Sequence, residues 1–259
     1  MTRWAKADDG TFVRLEFVGG SAAEPATADV STSLPADWPT GDDDSPDWWP
    51  PLGLTAVAAP PADGGAGAAL VHVDLGVASW RDRLESDLGL VAAEHLVGLV
   101  AVHAAVIEAE GRLLVLPGPS FTGKSSLCAA AVSAGHLVWS DEYALVDPAT
   151  GEVTGWPRRI KLRGDDGRAR RIDIGGGRVH EGRRADQLVF VTFDPQVEGA
   201  LDVRPITPGD AAMRLLENTV CAQARPGDSL SAASALAKSC AAMAGTRGAA
   251  DAALAALTG

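Results

Sequence analysis

A chain of 259 residues allows one large domain, or a main domain with a smaller companion, and can bury a sizeable core. Hydrophobic residues make up 46% of it, although many are Ala, so the figure overstates core volume. The net charge of −12 repels nucleic-acid backbones and anionic membrane surfaces, which argues against both as main partners.

The amino terminus, MTRWAKADDGTF, has no apolar run of the signal-peptide kind, and no stretch approaches the roughly 18 uncharged apolar residues of a membrane span. Cys128, Cys221 and Cys240 have no paired spacing, which argues against a disulfide framework. The expectation is a soluble cytoplasmic protein.

Residues 11–18 alternate as a strand. The Pro-, Gly-, Ser- and Asp-rich stretch that follows reads as a long irregular connection. Trp38, Trp48 and Trp49 are expected to pack part of it on the body, and Asp42–Asp44 to be solvated. Residues 69–76 alternate as a second strand, and 78–101 carry helical periodicity running toward His103. Residues 103–118 read as two strands around a Glu110–Gly111 turn, 123–135 as a helix closing at Gly135, and 136–147 as one strand.

The stretch 151–164 reads as a hairpin or extended pair. A basic island follows within 158–184: Arg158, Arg159, Lys161, Arg163, Arg168, Arg170, Arg171, Arg178, Arg183 and Arg184, around Gly175–Gly177. Most of these pair with Asp165, Asp166, Asp173 and Glu181 on the plainer reading; the sharper one has some clamp a triphosphate or an acidic peptide. Residues 187–194 read as a buried strand ending in Asp194. A helix starts after Thr207 as cap and Pro208 as first residue, and 229–245 and 248–259 read as Ala-rich helices. The fold expected is α/β, with a small irregular or β-rich region over 1–68 and the main domain over 69–259.

Within this frame Gly118-Pro119-Ser120-Phe121-Thr122-Gly123-Lys124-Ser125 fits G-x-x-x-x-G-K-[ST], between an apolar strand and a helix. Successive backbone N–H groups in such a loop form an anion nest, to which the helix adds its positive end. Lys124 would reach the β- and γ-phosphates, Ser125 would ligate Mg²⁺, and Ser126 follows in the first turn. Only Lys6, Lys124, Lys161 and Lys238 are lysines in an otherwise Arg-using chain, a mild sign that Lys124 is selected for its compact charge. Phe121 is the odd residue: it removes no N–H, is costly if its φ is positive, and otherwise reads as a hydrophobic plug over the loop.

Asp141-Glu142 end an apolar segment directly after the helix, so chain order returns them to the phosphates. A phosphoryl-transfer site needs such a carboxylate near its metal, and a kinase needs a base for the hydroxyl proton. The plainer reading makes Asp141 a turn cap and Glu142 a solvated residue, and Asp194 is the rival acid. His103 alone reads as a packing residue, and His72, His95, His136 and His180 lack ligand spacing.

The segment VHAAVIEAEGRLLVLPGPSFTGKSSLCAAAVSAGHLVWSDEYALVDPATGEVTGWPRRIKL resembles the catalytic domain of the HPr kinase/phosphorylase family, and more closely its small peptide-modifying relatives such as lasso peptide kinases. The likeness spans residues 95–220 and is specific over 102–147. It implies the fold shared with phosphoenolpyruvate carboxykinase, and transfer of the ATP γ-phosphoryl group to a Ser or Thr hydroxyl of a peptide or small protein. It places His103 at the family's active-site His, Lys124 and Ser125 at the loop Lys and metal-binding Ser, and Asp141-Glu142 at the family's Asp-Asp pair, whose second member is the base.

The chain departs from the family at Phe121, where relatives have Gly, at Glu142, and in lacking Glu-Ile-Arg-Gly after Lys161. The second departure leaves the base open between Asp141 and Glu142; the third sets the chain apart from true HPr kinases and their reverse reaction. The expected cofactors are ATP and Mg²⁺, with homo-oligomerisation left open. A nucleotide-binding regulator without kinase chemistry and a small-molecule hydroxyl kinase stand as alternatives.

Overall fold

The computed structural model describes residues 2–18, 54–57, 68–74, 80–156, 160–163, 169–172, 181–197 and 199–259. The three tryptophans and the Asp run of the long connection lie outside these residues, as do Arg158, Arg159, Arg168, Arg178 and the Gly175–Gly177 triplet. The chain forms two compact units, Met1–Val97 and Gly98–Gly259.

The first unit is a four-stranded sheet with one helix. Strands β1 (Thr2–Ala7), β2 (Phe12–Val18), β3 (Leu54–Val57) and β4 (Ala69–Asp74) lie in the order β3-β1-β2-β4. Alternate residues Ala5, Ala7, Val13, Leu15, Val71 and Val73 are buried, as a two-residue side-chain period requires. Helix α1 (Trp80–Glu94) packs on β4 and buries Leu84, Leu88 and Ala92, one per four residues. The strand at 69–74 and the helix at 80–94 thus belong to the first unit, so the boundary falls after Val97 rather than at residue 68. The helix also stops short of the expected 101: Gly98 has φ +76°, and Val100 already begins a strand.

The second unit is a three-layer α/β arrangement. Its strands are β5 (Val100–Ala109), β6 (Arg112–Pro117), β7 (Leu137–Ser140), β8 (Tyr143–Val146), β9 (Val153–Gly155), β12 (Gln187–Phe193), β13 (Leu201–Pro205) and β14 (Ala241–Arg247). The sheet order is β13-β14-β12-β6-β5-β8-β9, with β7 also paired to β5. Strands β6, β12 and β14 run parallel; the other pairings are antiparallel. The helices are α2 (Lys124–Ser133), α3 (Pro208–Glu217), α4 (Pro226–Ser239) and α5 (Ala250–Thr258).

Period-two alternation deals side chains to both sheet faces. Val102, Ala104, Val106, Val115, Leu188 and Phe190 meet α3 and α4 on one side. Ala105, Ile107, Leu114, Leu116, Val189 and Val191 meet α2 and α5 on the other. A strand covered on both faces needs a near-continuous apolar run, which VAVHAAVIEA and RLLVLP supply apart from His103, Glu108 and Arg112.

Several boundaries differ from those expected. Residues 137–146 form two strands, β7 and β8, broken at Asp141-Glu142. The 151–164 stretch is no hairpin: β9 pairs with β8, and β10 (Ile160–Arg163) pairs with β11 (Ala169–Ile172). The Ala-rich run 229–245 is helix only to Ser239, and Ala241–Arg247 is a central strand. Small side chains are needed there, since a Cβ on Gly245 would lie 1.9 Å from the Asp202 carbonyl oxygen. Tertiary packing overrides the helical propensity of alanine.

Candidate functional site

The loop Gly118–Gly123 leaves the C-terminal end of β6 and opens α2. Both β6 and β7 are antiparallel to β5, so they run in the same direction with β5 inserted between them. The chain therefore leaves at the top of β6, descends through α2, and climbs β7 to bring Asp141 back beside the loop. Helix α2 ends in a Schellman motif: His136 N–H donates to Ala131 and Gly135 N–H to Val132, with Gly135 at φ +81°. That reversal is what makes so short a return geometrically available.

The two residues expected to hold a metal meet: Ser125 Oγ donates to Asp141 Oδ2 at 3.2 Å. Asp141 is buried, and Ser140 fixes the break that carries it, its hydroxyl accepting from the Glu142 and Tyr143 N–H groups. The turn cap is thus Ser140 rather than Asp141. Glu142 is half-buried beside it, and its carbonyl accepts from Ala104 N–H.

Lys124, the first residue of α2, is buried and turned onto its own loop. Its Nζ donates to the carbonyls of Gly118 at 2.6 Å and Pro119 at 2.8 Å, and lies 3.1 Å from His103 Nδ1. His103 Nδ1 is also 2.9 Å from the Gly118 carbonyl. That nitrogen either accepts from Lys124 or donates to Gly118, depending on the tautomer. The His103 ring meets Tyr143 edge-on at 5.5 Å, and Gly118 N–H donates to the His103 carbonyl. His103, Lys124, Ser125, Asp141 and Glu142 are thus gathered at one end of β5, β6 and β7.

Within the loop, Thr122 Oγ1 donates to the Pro119 carbonyl. Phe121 has φ +71° and is 84% exposed, so its ring is not a plug buried over the loop. Ser120 and Ser126 are exposed, and Thr122 and Gly123 are partly covered.

Sequence reasoning passed over Arg247. It ends β14, is 2% exposed, and donates through Nη2 to the Gly123 carbonyl at 2.9 Å and through Nη1 to Gly248 at 2.8 Å. Its guanidinium lies over the Phe193 ring at 5.2 Å, and its buried Nε has no hydrogen-bond partner among the described residues. Burial pushes its pKa down from the ordinary arginine value. A Cβ on Gly123 would lie 1.9 Å from Nη2, so glycine is required at 123 both for its φ of +87° and for this contact. The sequence pattern extends the helix to Gly245 and so hides the strand that Arg247 closes; a lone Arg closing an apolar run is the available signal.

The basic island does not reach the loop through Arg183. That side chain binds Glu108 at 2.8 Å, Asp186 and the Gly111 carbonyl, at the opposite end of β5 from His103. The Asp194 carboxylate accepts from Gln196 N–H in its own turn. His72 and His95 lie in the first unit, each beside a carboxylate, Glu16 and Asp9 respectively. All three cysteines are free thiols.

A cavity of about 620 Å³ adjoins the loop at Pro117–Pro119 and Thr122, beside the C-terminal half of β12 and between β13, β14 and α3. Open α/β sheets bind ligands at such strand ends. No group of three or more His, Cys, Asp or Glu side chains is poised for a metal among the described residues, and no helix there is long and apolar enough to cross a membrane. No protein-family model matches the chain, and no curated protein matches it.

Proposed function

We propose that the protein is an ATP- and Mg²⁺-dependent kinase of the HPr kinase-like kind, transferring the γ-phosphoryl group to a Ser or Thr hydroxyl of a peptide or small protein. The observation that carries this reading is the 3.2 Å approach of Ser125 to Asp141 beside Lys124 at the start of α2. A hydroxyl and one carboxylate are a fitting protein share for Mg²⁺, which keeps several waters and takes its other ligands from phosphate. Ser125 and Asp141 would hold the ion, whose contribution is to neutralise phosphate charge.

The other roles follow from position. Gly118–Ser125 and the positive end of α2 bind the phosphate chain. Lys124 exchanges the Gly118 and Pro119 carbonyls for phosphate oxygens and stabilises charge on the transferring group. The acceptor oxygen forms the new bond to phosphorus as the bridging bond to ADP breaks, and the hydroxyl proton passes to Glu142 or Asp141. His103 orients Lys124 and Gly118. Catalysis is positioning and electrostatics, as for phosphoryl transfer generally.

The inward posture of Lys124 favours, as a second reading, a nucleotide-binding regulator that uses the loop without transfer. Intact-mass detection of phosphate on candidate peptides incubated with ATP and Mg²⁺ separates the two. Wild type should add phosphate and Lys124→Ala should not. Undiminished transfer by Lys124→Ala refutes the kinase reading.

A further inference from the structure

We propose that the cavity beside the loop is the acceptor site, and that it selects a peptide segment carrying carboxylates next to the hydroxyl; this rests on the kinase reading above. The cavity shares its wall with the site, since Gly118 lines it while contacting His103. Asn218 lines it too, and its carbonyl accepts from His103 N–H. An occupant would therefore lie against Gly118 and Asn218, the two residues whose carbonyls His103 contacts.

Its charge is the informative part. Arg204 on β13 and Arg214 on α3 both face this space, and neither makes an ion pair among the described residues. Arg214 instead lies over the Phe190 ring, at 5.9 Å. Glu217, the one carboxylate of the lining, pairs with neither. In a chain of 34 acidic residues, two guanidinium groups that share one cavity and make no ion pair among the described residues mark where an anion is wanted. The protein's net charge of −12 repels an acidic peptide from most of the surface, so the two arginines also decide where it docks. A volume of about 620 Å³ lies within the range of ligand-holding clefts and exceeds what one side chain fills.

The test uses two fluorescein-labelled hexapeptides, Ala-Asp-Ser-Asp-Ala-Gly and Ala-Lys-Ser-Lys-Ala-Gly, in anisotropy titrations of the full chain. Wild type should bind the acidic peptide about tenfold more tightly, and added salt should shrink the ratio. The Arg204→Glu/Arg214→Glu double variant should reverse the order, and Arg204→Gln/Arg214→Gln should erase it. Both side chains are exposed, and circular dichroism checks that the double variants stay folded where Arg214 covers Phe190. Equal binding of the two peptides by wild type overturns the proposal. So does a charge reversal that weakens ATP binding while leaving the peptide order intact, since the cavity would then hold the nucleotide. Failure of wild type to bind ATP at all would remove the kinase reading and the acceptor role with it, and the peptide titrations would then report only whether the cavity binds acidic peptides.

Discussion

Two residues of one short loop adopt left-handed backbone, and they should respond to substitution with opposite signs. Phe121 sits at φ +71° and Gly123 at φ +87°. A side chain in this region costs about 1–2 kcal/mol. Replacing Phe121 by Gly removes that cost, while the unfolded chain gains freedom worth about 0.5–1 kcal/mol against folding. The ring is 84% exposed, so little apolar burial is lost. The net gain is about 0.5–1 kcal/mol, or a rise of about 1–4 °C in the unfolding midpoint. Gly123→Ala takes on the left-handed penalty and drives a methyl into the space 1.9 Å from Arg247 Nη2. Losing that charge-assisted bond adds about 1.5–3 kcal/mol, and the stiffer unfolded chain returns about 0.5–1 kcal/mol, for a total near 2–4 kcal/mol. Thermal unfolding measures both, and titration with a fluorescent ATP analogue measures what the loop still binds. Phe121→Gly should keep nucleotide affinity within a few-fold. A destabilised Phe121→Gly, or one that loses nucleotide, would show that the ring belongs to the site, and a neutral Gly123→Ala would refute the account of Arg247.

The remaining predictions concern the metal, the buried arginine and acid. Ser125→Ala and Asp141→Asn should each raise the Mg²⁺ needed for half-maximal transfer by about 10- to 100-fold, measured by magnesium titration, while metal-free nucleotide binding persists. Arg247→Met should weaken nucleotide binding by about tenfold or more, through loss of its hold on the Gly123 carbonyl, as read by calorimetric titration. In the first unit, burial alone would raise the Asp9 pKa, but the Thr11 N–H and the His95 ring offset it and leave it lowered. A lowered carboxylate pKa stabilises the fold above the unfolded value of about 3.9, and that stability is lost as pH falls through the folded value. Asp9→Asn should therefore flatten the acid dependence of unfolding below about pH 4, as followed by circular dichroism.

The candidate site was legible largely because its residues are close in sequence and joined by one helix. The Gly-Lys-Ser spacing placed Lys124 and Ser125 on the first turn of α2, and the short return through Gly135 placed Asp141 opposite them. The Thr207 cap was readable for the same local reason: its side chain accepts from Asp210 N–H. Long-range pairing was not readable. Ala241, Ala242 and Ala244 give no period, and only their place between β12 and β13 makes them a strand. Arg247 reaches Gly123 across 124 positions, a contact no local pattern encodes. The role of Arg183 depended on which end of β5 it met, which the hairpin at Glu110–Gly111 decides.

The central claim is that Gly118–Ser125 and Asp141 together hold a metal-bound nucleotide. The most direct measurement is a crystal structure with a non-hydrolysable ATP analogue and Mn²⁺, located by its anomalous signal. One Mn²⁺ is expected in contact with Ser125 Oγ and Asp141, with Lys124 Nζ moved from the Gly118 carbonyl to a phosphate oxygen. A nucleotide bound elsewhere, or a metal that ignores Ser125 and Asp141, would contradict it.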